Sequence, residues 1–530
     1  MRKILYNGSI HTMDEANPLA DAVLIEDGKY IAVSDAQTVF ALAREAVKTD
    51  LKGAAVYPGL TDSHLHILNY AITSRALVLN DVKDRKEVLR LVKERAQTED
   101  AVDGRGFNED LWEDRRLITR KDLDEVSPDK PVRLTRVCGH MVVANTAAMR
   151  SAGIEENTSA PEGGTIDYEN GIFCENAIGL IFADDKDRGV EACMELLYDG
   201  MCRAADAGLT AIYTDDFGTG GYSMHTVAEA YRRLQKAGRM PVRVVQQCAL
   251  PDDESWNEFL KAGFFYGQGT DLYRIGPRKL YSDGSLGART AWLSVPYADA
   301  PEKTGVPIYT QKELNRLAVQ SHQAGMPFIV HAIGDAGADC VVKAILYARR
   351  EVPGTEHLKS GIVHCQITTA ELIDVIAKEH IPVYAQPVFT EYDLHICRDR
   401  VGEELEKTSY NWKTLYDRGV CISSGSDCPV EPLDPAKNIY CAVTRKDFEH
   451  YPEGGWMPEQ RLSVYEAIAC HTVKAAESTG YEDRLGRIKA GFLADASVFP
   501  KEFERMEADD ILNQKPLFTM VNGVMRKCGS

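Results

Sequence analysis

The sequence predicts an α/β protein built on a (β/α)8 TIM barrel, and three observations predict it. Eight short β-branched runs recur along the chain, each is followed by a helix-length amphipathic segment, and the runs are largely apolar rather than alternating. Strands of that kind are buried on both faces, as in a parallel sheet covered by helices. The runs are AAVYPGL near residue 57, LTAIYTD near 212, PVRVVQQC near 244, YRIGPRKLYSD near 279, PFIVHAIGD near 331, SGIVHCQ near 363, IPVYAQP near 384 and VCISSGSD near 424. Helical patterns cover 190–207, 223–238, 311–325, 335–350, 368–379, 410–418 and 463–478. An open doubly wound sheet is the competing arrangement.

The two ends of the chain read differently. KILYNG and VLIEDGKYIAV are strand-like, and Asp27-Gly28 supplies the positive φ angles of a two-residue hairpin. LADASVF and FTMVNGVMRK repeat the habit near the C-terminus, with Asn522-Gly523 as the turn. One small β domain drawn from both termini is expected. Residues 85–189 interrupt the alternation between the first and second runs and are too long for an ordinary connection. They hold helix-like DRKEVLRLVKERAQ, strand-like PVRLTRV and a Gly-rich bend at GGTIDYENG, which together predict an insertion domain over one barrel mouth. The expected division is 1–57 with 481–530, 58–84 with 190–480, and 85–189.

Composition narrows the function. The 530 residues are 44% apolar and 27% charged, enough for a large core and a solvated surface. With 61 Lys and Arg against 80 Asp and Glu, the formal charge is −19, which repels phosphate backbones and anionic lipids. Neither nucleic acid nor membrane is an expected partner. The apolar runs fall short of the roughly 20 residues that span a bilayer, and MRKILYNGSIHTMDE has no signal-peptide core, so a soluble cytoplasmic protein is expected. Thirteen cysteines without a CxxC pair indicate neither a disulfide framework nor an all-thiolate zinc site.

The chemistry concentrates at the ends of the predicted strands. In DSHLH, His64 and His66 stand two apart, so both imidazoles leave a strand on one side. His331 ends FIVH, His364 ends GIVH and Asp427 ends CISSGSD. Barrel chemistry is built at the carboxyl end of the strands. Four histidines and a carboxylate gathered there form a nitrogen and oxygen donor set suited to zinc or a similar divalent ion. Lys279, in the fourth run, needs a partner or a modification, since an ammonium facing a dication is repelled. Carboxylation to a carbamate is one solution; pairing with Asp283, or a place outside the barrel, is the other.

The segments PGLTDSHLH, KLYSDGSLGARTA, VHAIGD, VHCQ, SSGSDCPV and LGRIKAGFLADASVF together resemble the amidohydrolase superfamily. More narrowly the chain is similar to its amidohydrolase family 3 branch, which includes N-substituted formamide deformylases, and the likeness extends to the insertion segments GRGFNEDLW, RVCGHMVVANTAAM and GGTIDYENGIFCENA. The resemblance implies a metal-dependent barrel flanked by a β-sandwich from both termini. It implies that His64 and His66 hold the more buried metal with Asp427, that His331 and His364 hold a second, and that Lys279 is a bridging N6-carboxylated lysine. One or two zinc ions per chain are expected.

The expected activity is hydrolysis of a C–N, amide-type bond of a small molecule by hydroxide generated at the metals, with Asp427 shuttling the proton. Deamination of a ring and ester or lactone hydrolysis use the same chemistry, and a catalytically idle regulatory or binding barrel is the alternative of a different class. His140, in CGHMVVAN, and Arg289, in SLGART, are candidate substrate-binding residues, with capping and salt bridging as their structural alternatives. A homodimer is the expected assembly.

Overall fold

The computed structural model of the chain describes residues 2–80, 82–137, 141–161, 164–175, 177–182 and 187–529. The chain divides into two compact units: Met1–Ile67, Leu197–Phe217 and Val227–Ser530 form one, Leu68–Leu196 and Gly218–Thr226 the other.

The first unit carries eight parallel strands paired in chain order: Leu60–Leu65, Leu209–Thr214, Arg243–Ala249, Tyr273–Tyr281, Phe328–Ala332, Gly361–His364, Val383–Ala385 and Ile422–Ser424. The last strand returns to the first. The Asp427 N–H donates to the His64 carbonyl at 2.8 Å, and the His66 N–H to the Cys428 carbonyl at 2.8 Å. The parallel sheet is thereby nearly closed, as a TIM-type barrel. Gly425 permits this approach, because a Cβ there would lie 2.6 Å from the His64 nitrogen and 2.9 Å from its carbonyl oxygen. Among the described residues no helix is long and apolar enough to cross a membrane.

The first predicted run needs correction. AAVYPGL is not a barrel strand: Ala55–Pro58 pairs with Ser9–Ile10 and with Ala496–Phe499, and the barrel strand begins at Leu60. The chain changes sheets at Gly59. Its N–H donates to the Asp495 carbonyl, and a Cβ would lie 2.0 Å from Thr210 Oγ1, so only glycine fits between the two sheets. The other predicted runs fall on barrel strands. The helix read over 463–478 is two helices, Val464–His471 and Val473–Ser478, broken at Thr472 with φ −125° and ψ −90°.

Strands from both ends of the chain share a second sheet in this unit. Its order is Val524–Lys527, Phe518–Val521, Ala496–Phe499, Ala55–Pro58, Lys3–His11, Leu19–Glu26 and Lys29–Ser34, with Val47–Asp50 beside Lys3–His11. Both predicted turns form, with φ of 49° and 77° at Asp27 and Gly28 and of 50° and 70° at Asn522 and Gly523. The apolar faces of these strands bury Leu5, Ile10, Val23, Ile25, Val56 and Val498 in one core, each contributing about 1.5–3 kcal/mol. A buried ion pair joins this sheet to the barrel: Arg243 Nε and Nη2 donate to Asp495 at 2.6 and 2.8 Å.

The second unit holds a six-stranded sheet in the order Gly164–Asp167, Ile172–Glu175, Met141–Ala144, Val132–Arg136, Val102–Phe107 and Leu77–Val78. The predicted helix forms as Arg85–Thr98, capped by Asp84, and its Val88, Val92 and Ala96 pack with Phe107, Trp112 and Leu134. The segment read as a Gly-rich bend is a β-hairpin between Gly164–Asp167 and Ile172–Glu175. Asp167 accepts from the Asn170 N–H at 3.0 Å, and Gly171 takes φ 70° to finish the turn.

Candidate metal centre

Register decides which side chains enter the barrel. Lys279 pairs with Ile329 and Tyr281 with His331, so Lys279, Tyr281 and His331 share one face, while Arg278 lies on the other and sits over the Trp256 ring. His364 is the exception. It pairs with Ala332, the slot opposite to that of His331, yet the two imidazole centroids are 4.4 Å apart. A φ of 77° at His364 departs from strand geometry and turns the ring to the His331 side. Asp427 is also left-handed, with φ 58°. Such conformations cost non-glycine residues on the order of 1 kcal/mol and concentrate at functional sites.

The strand ends bring the predicted donors together. His64 and His66 have ring centroids 5.1 Å apart, and their Nε2 atoms lie 3.3 and 3.1 Å from Asp427 Oδ1. Lys279 Nζ is 3.5 Å from His64 Nε2 and 4.2 Å from the Tyr281 ring centre. Ligand atoms of His64, His364 and Asp427 all lie within 4.8 Å of one another, the one such group of His, Cys, Asp and Glu among the described residues. His331 stands against His364 rather than in that group.

Each imidazole is oriented through its second nitrogen. His64 Nδ1 meets Gln247 Oε1 at 2.5 Å, and His364 Nδ1 meets Gln386 Oε1 at 2.7 Å. His331 Nε2 donates to the Gly284 carbonyl at 3.0 Å. Asp283 does not pair with Lys279: it accepts from the Trp292, Ile333 and Gly334 N–H groups and so pins the loop that carries Gly284. Gln247 and Gln386 carry no motif that marks them in the sequence, and Asp283, inside KLYSDGSLGARTA, reads there only as a partner of Lys279. Asp215, which closes the run LTAIYTD, follows the second barrel strand and accepts from the Tyr281 hydroxyl at 2.7 Å.

The electrostatics suit a cation. Burial, reinforced by Lys279, holds His64 well below the ordinary histidine range; burial and the His364 ring do the same to His331; burial brings His364 down to about 4. These imidazoles are neutral donors near pH 7. Burial also lowers Lys279, against the opposing pull of Asp215 and Asp427. Burial works against ionisation of Asp427, but the hydrogen bond from His66 and the neighbouring imidazoles outweigh it and hold the carboxyl far below its ordinary value. His64 Nε2 lies 3.3 Å from Asp427 Oδ1, with Lys279 Nζ 3.5 Å from the same nitrogen. The donor set therefore fits a divalent ion.

The remaining candidates lie elsewhere or outside the description. Arg289 donates to both oxygens of Asp299, at 3.0 and 2.7 Å. His140 lies outside the described residues. Cys365 and Cys428, beside ligand positions, are both buried, and the described cysteines are free thiols.

Comparison with known proteins agrees with this geometry. The sequence profile described as "Amidohydrolase family" matches residues 49–526. "Putative amidohydrolase YtcJ" of Bacillus subtilis (strain 168) is 31% identical over 512 residues, covering 94% of each chain. The N-substituted formamide deformylase of Arthrobacter pascens is 25% identical over 544 residues, covering 99% of this chain and 98% of the relative. The crystal structure of an uncharacterized metal-dependent hydrolase from Pyrococcus furiosus superposes with a TM-score of 0.83 at 26% identity, over 95% of this chain and 100% of that one. With the profile spanning most of its length and the donor residues gathered at its strand ends, this chain belongs to the amidohydrolase family.

Proposed function

We propose that the protein is a metal-dependent hydrolase that cleaves a C–N bond of the amide type in a small molecule. The observation that carries this reading is the convergence of His64, His364 and Asp427 ligand atoms within 4.8 Å, with neutral imidazole nitrogens turned against an ionised carboxylate. His64, His66 and Asp427 would hold one ion, and His331 and His364 a second, with Lys279 between them as a carbamate. Zinc suits these donors. A divalent ion in such a site acidifies water and polarises a carbonyl oxygen.

The chain supplies the rest. Asp427 is a carboxylate at neutral pH, and in this reading it takes a proton from the attacking water and hands it to the departing nitrogen. Without that proton the nitrogen would leave as a high-energy anion. His140 is retained as a substrate contact; Arg289 would have to leave Asp299 to serve as one. The sandwich-like terminal domain, the insertion domain at 85–189 and a cytoplasmic homodimer belong to the same proposal.

The test is elemental analysis and intact mass of the purified protein, followed by a panel of N-substituted formamides, aminoacyl amides, ring amines and lactones with and without chelator. Turnover of an amide that disappears on chelation and returns with zinc is the expected result. Full activity in metal-free protein would refute the metal reading, and turnover confined to ring amines or lactones would refute the C–N amide assignment.

A further inference from the structure

We propose that Gln247 and Gln386 are positioning residues of the metal centre, each locking one ligand histidine in the tautomer that turns an unprotonated Nε2 toward the metal. The proposal rests on the metal-dependent reading above. Gln247 lies in the third barrel strand and Gln386 directly follows the seventh, and both are fully buried at 0% exposure. A buried amide with an unmade hydrogen bond costs about 1–3 kcal/mol, so each end must be accounted for.

Both amides are accounted for in the same way. Gln247 Nε2 donates to the Ser63 carbonyl at 3.0 Å, and Gln386 Nε2 donates to the Tyr384 carbonyl at 2.9 Å. A backbone carbonyl only accepts, so it fixes which end of each amide is nitrogen. The oxygen ends then face His64 Nδ1 at 2.5 Å and His364 Nδ1 at 2.7 Å. An amide oxygen also only accepts. Both Nδ1 atoms must therefore carry the hydrogen, and in a neutral imidazole that leaves the lone pair on Nε2. His64 Nε2 is the atom 3.3 Å from Asp427 Oδ1.

The choice of an amide has a consequence of its own. A carboxylate in either place would add a negative charge behind the ligand, whereas glutamine orients the ring without adding charge. An apolar side chain of the same length would release the ring to the other tautomer, which presents N–H instead of a lone pair.

The experiment uses the full-length, metal-free protein with nitrogen-15 histidine, as wild type, Gln247→Met, Gln386→Met and Gln247→Glu. Two quantities are read: the ring-nitrogen signals that distinguish the tautomers, and zinc affinity by competition with a chromophoric chelator. The expected wild type shows Nδ1–H at His64 and His364. Each Met variant mixes tautomers at its own histidine and loses about 10–100-fold in zinc affinity. Gln247→Glu, which keeps an oxygen acceptor for Nδ1–H, restores the wild-type tautomer at His64. Nε2–H tautomers in the wild type overturn the proposal. So do folded Met variants with wild-type tautomers and wild-type affinity. Should Gln247→Met not fold, Gln386→Met and the wild-type tautomers decide. A wild type that shows the Nδ1–H tautomers but takes up no zinc refutes the metal-dependent reading itself, whereas zinc uptake with indifferent glutamine variants refutes only the role of the glutamines.

Discussion

Asp62 and Ser426 join the first barrel strand to the segment beyond the last: the Ser426 hydroxyl donates to Asp62 Oδ2 at 2.6 Å and its N–H reaches both carboxylate oxygens at 3.1 Å. Asp62 also accepts from the His64 N–H at 3.2 Å. One carboxylate thus ties together the backbones that carry His64 and Asp427. The Ser426 hydroxyl further accepts from the Cys428 N–H at 3.1 Å.

Ser426→Ala removes the hydroxyl arm of this clasp: Asp62 Oδ2 loses one donor and the Cys428 N–H loses its acceptor, while the Ser426 N–H still reaches Asp62. The expected loss is about 1–3 kcal/mol of stability, read by urea denaturation. Zinc affinity should fall with it, because Asp427 follows directly in the chain. A variant as stable and as metal-competent as wild type would show that the barrel closes without this contact.

Asp427→Asn keeps the shape of the side chain but removes both its capacity to take a proton and its charge toward the ion, so variant and wild type are compared at equal measured zinc content. If Asp427 is the proton shuttle, kcat falls by about 10²–10⁴-fold on whichever amide the substrate panel identifies, while KM changes little. A fall in KM-dependent binding alone, with kcat preserved, would place Asp427 outside the proton transfer.

Asp495→Ala leaves Arg243 as an uncompensated buried cation between the barrel and the terminal sheet. Breaking a buried pair from one side costs about 3–5 kcal/mol. Asp495 accepts from both Nε and Nη2 of Arg243 at once, so Arg243→Lys should recover little of the Arg243→Ala loss. Thermal unfolding of the three variants tests this.

His471 gives stability an acid limb. Its Nδ1 donates to the Thr61 carbonyl at 2.9 Å, and burial brings its pKa from 6.5 down to about 4. Below pH 6.5 the unfolded chain takes the proton first, so the stabilisation is complete above that value and is lost as pH falls toward 4. Between pH 6.5 and about pH 5 the loss is about 2 kcal/mol from this group. Unfolding free energies across that window should fall more steeply for wild type than for His471→Gln.

Much of the architecture was legible because it follows local rules. Apolar runs in alternation with amphipathic segments marked the barrel strands, and Asp27-Gly28 and Asn522-Gly523 marked hairpins because few residue pairs accept two positive φ angles. His64 and His66 stood out by their spacing in DSHLH, and His331, His364 and Asp427 because each ends a predicted strand run. The hairpin at 164–175 was hidden by its glycines, which read as a bend. The run AAVYPGL predicts a barrel strand, yet Ala55–Pro58 pairs in the terminal sheet, since an apolar run does not say which partner it will pair with.

The sequence by itself determined the strand and helix alternation, the turns and the kinds of donor atom available, all of which depend on neighbours along the chain. Only the tertiary structure decided that Gly59 moves the chain from one sheet to another, that a left-handed His364 turns its ring to the His331 side, and that Gln247 and Gln386 stand behind two of the ligands. Those relationships join residues tens to hundreds of positions apart. A glutamine looks the same in sequence whether it faces solvent or an imidazole, and only the closing of the barrel supplies its partner.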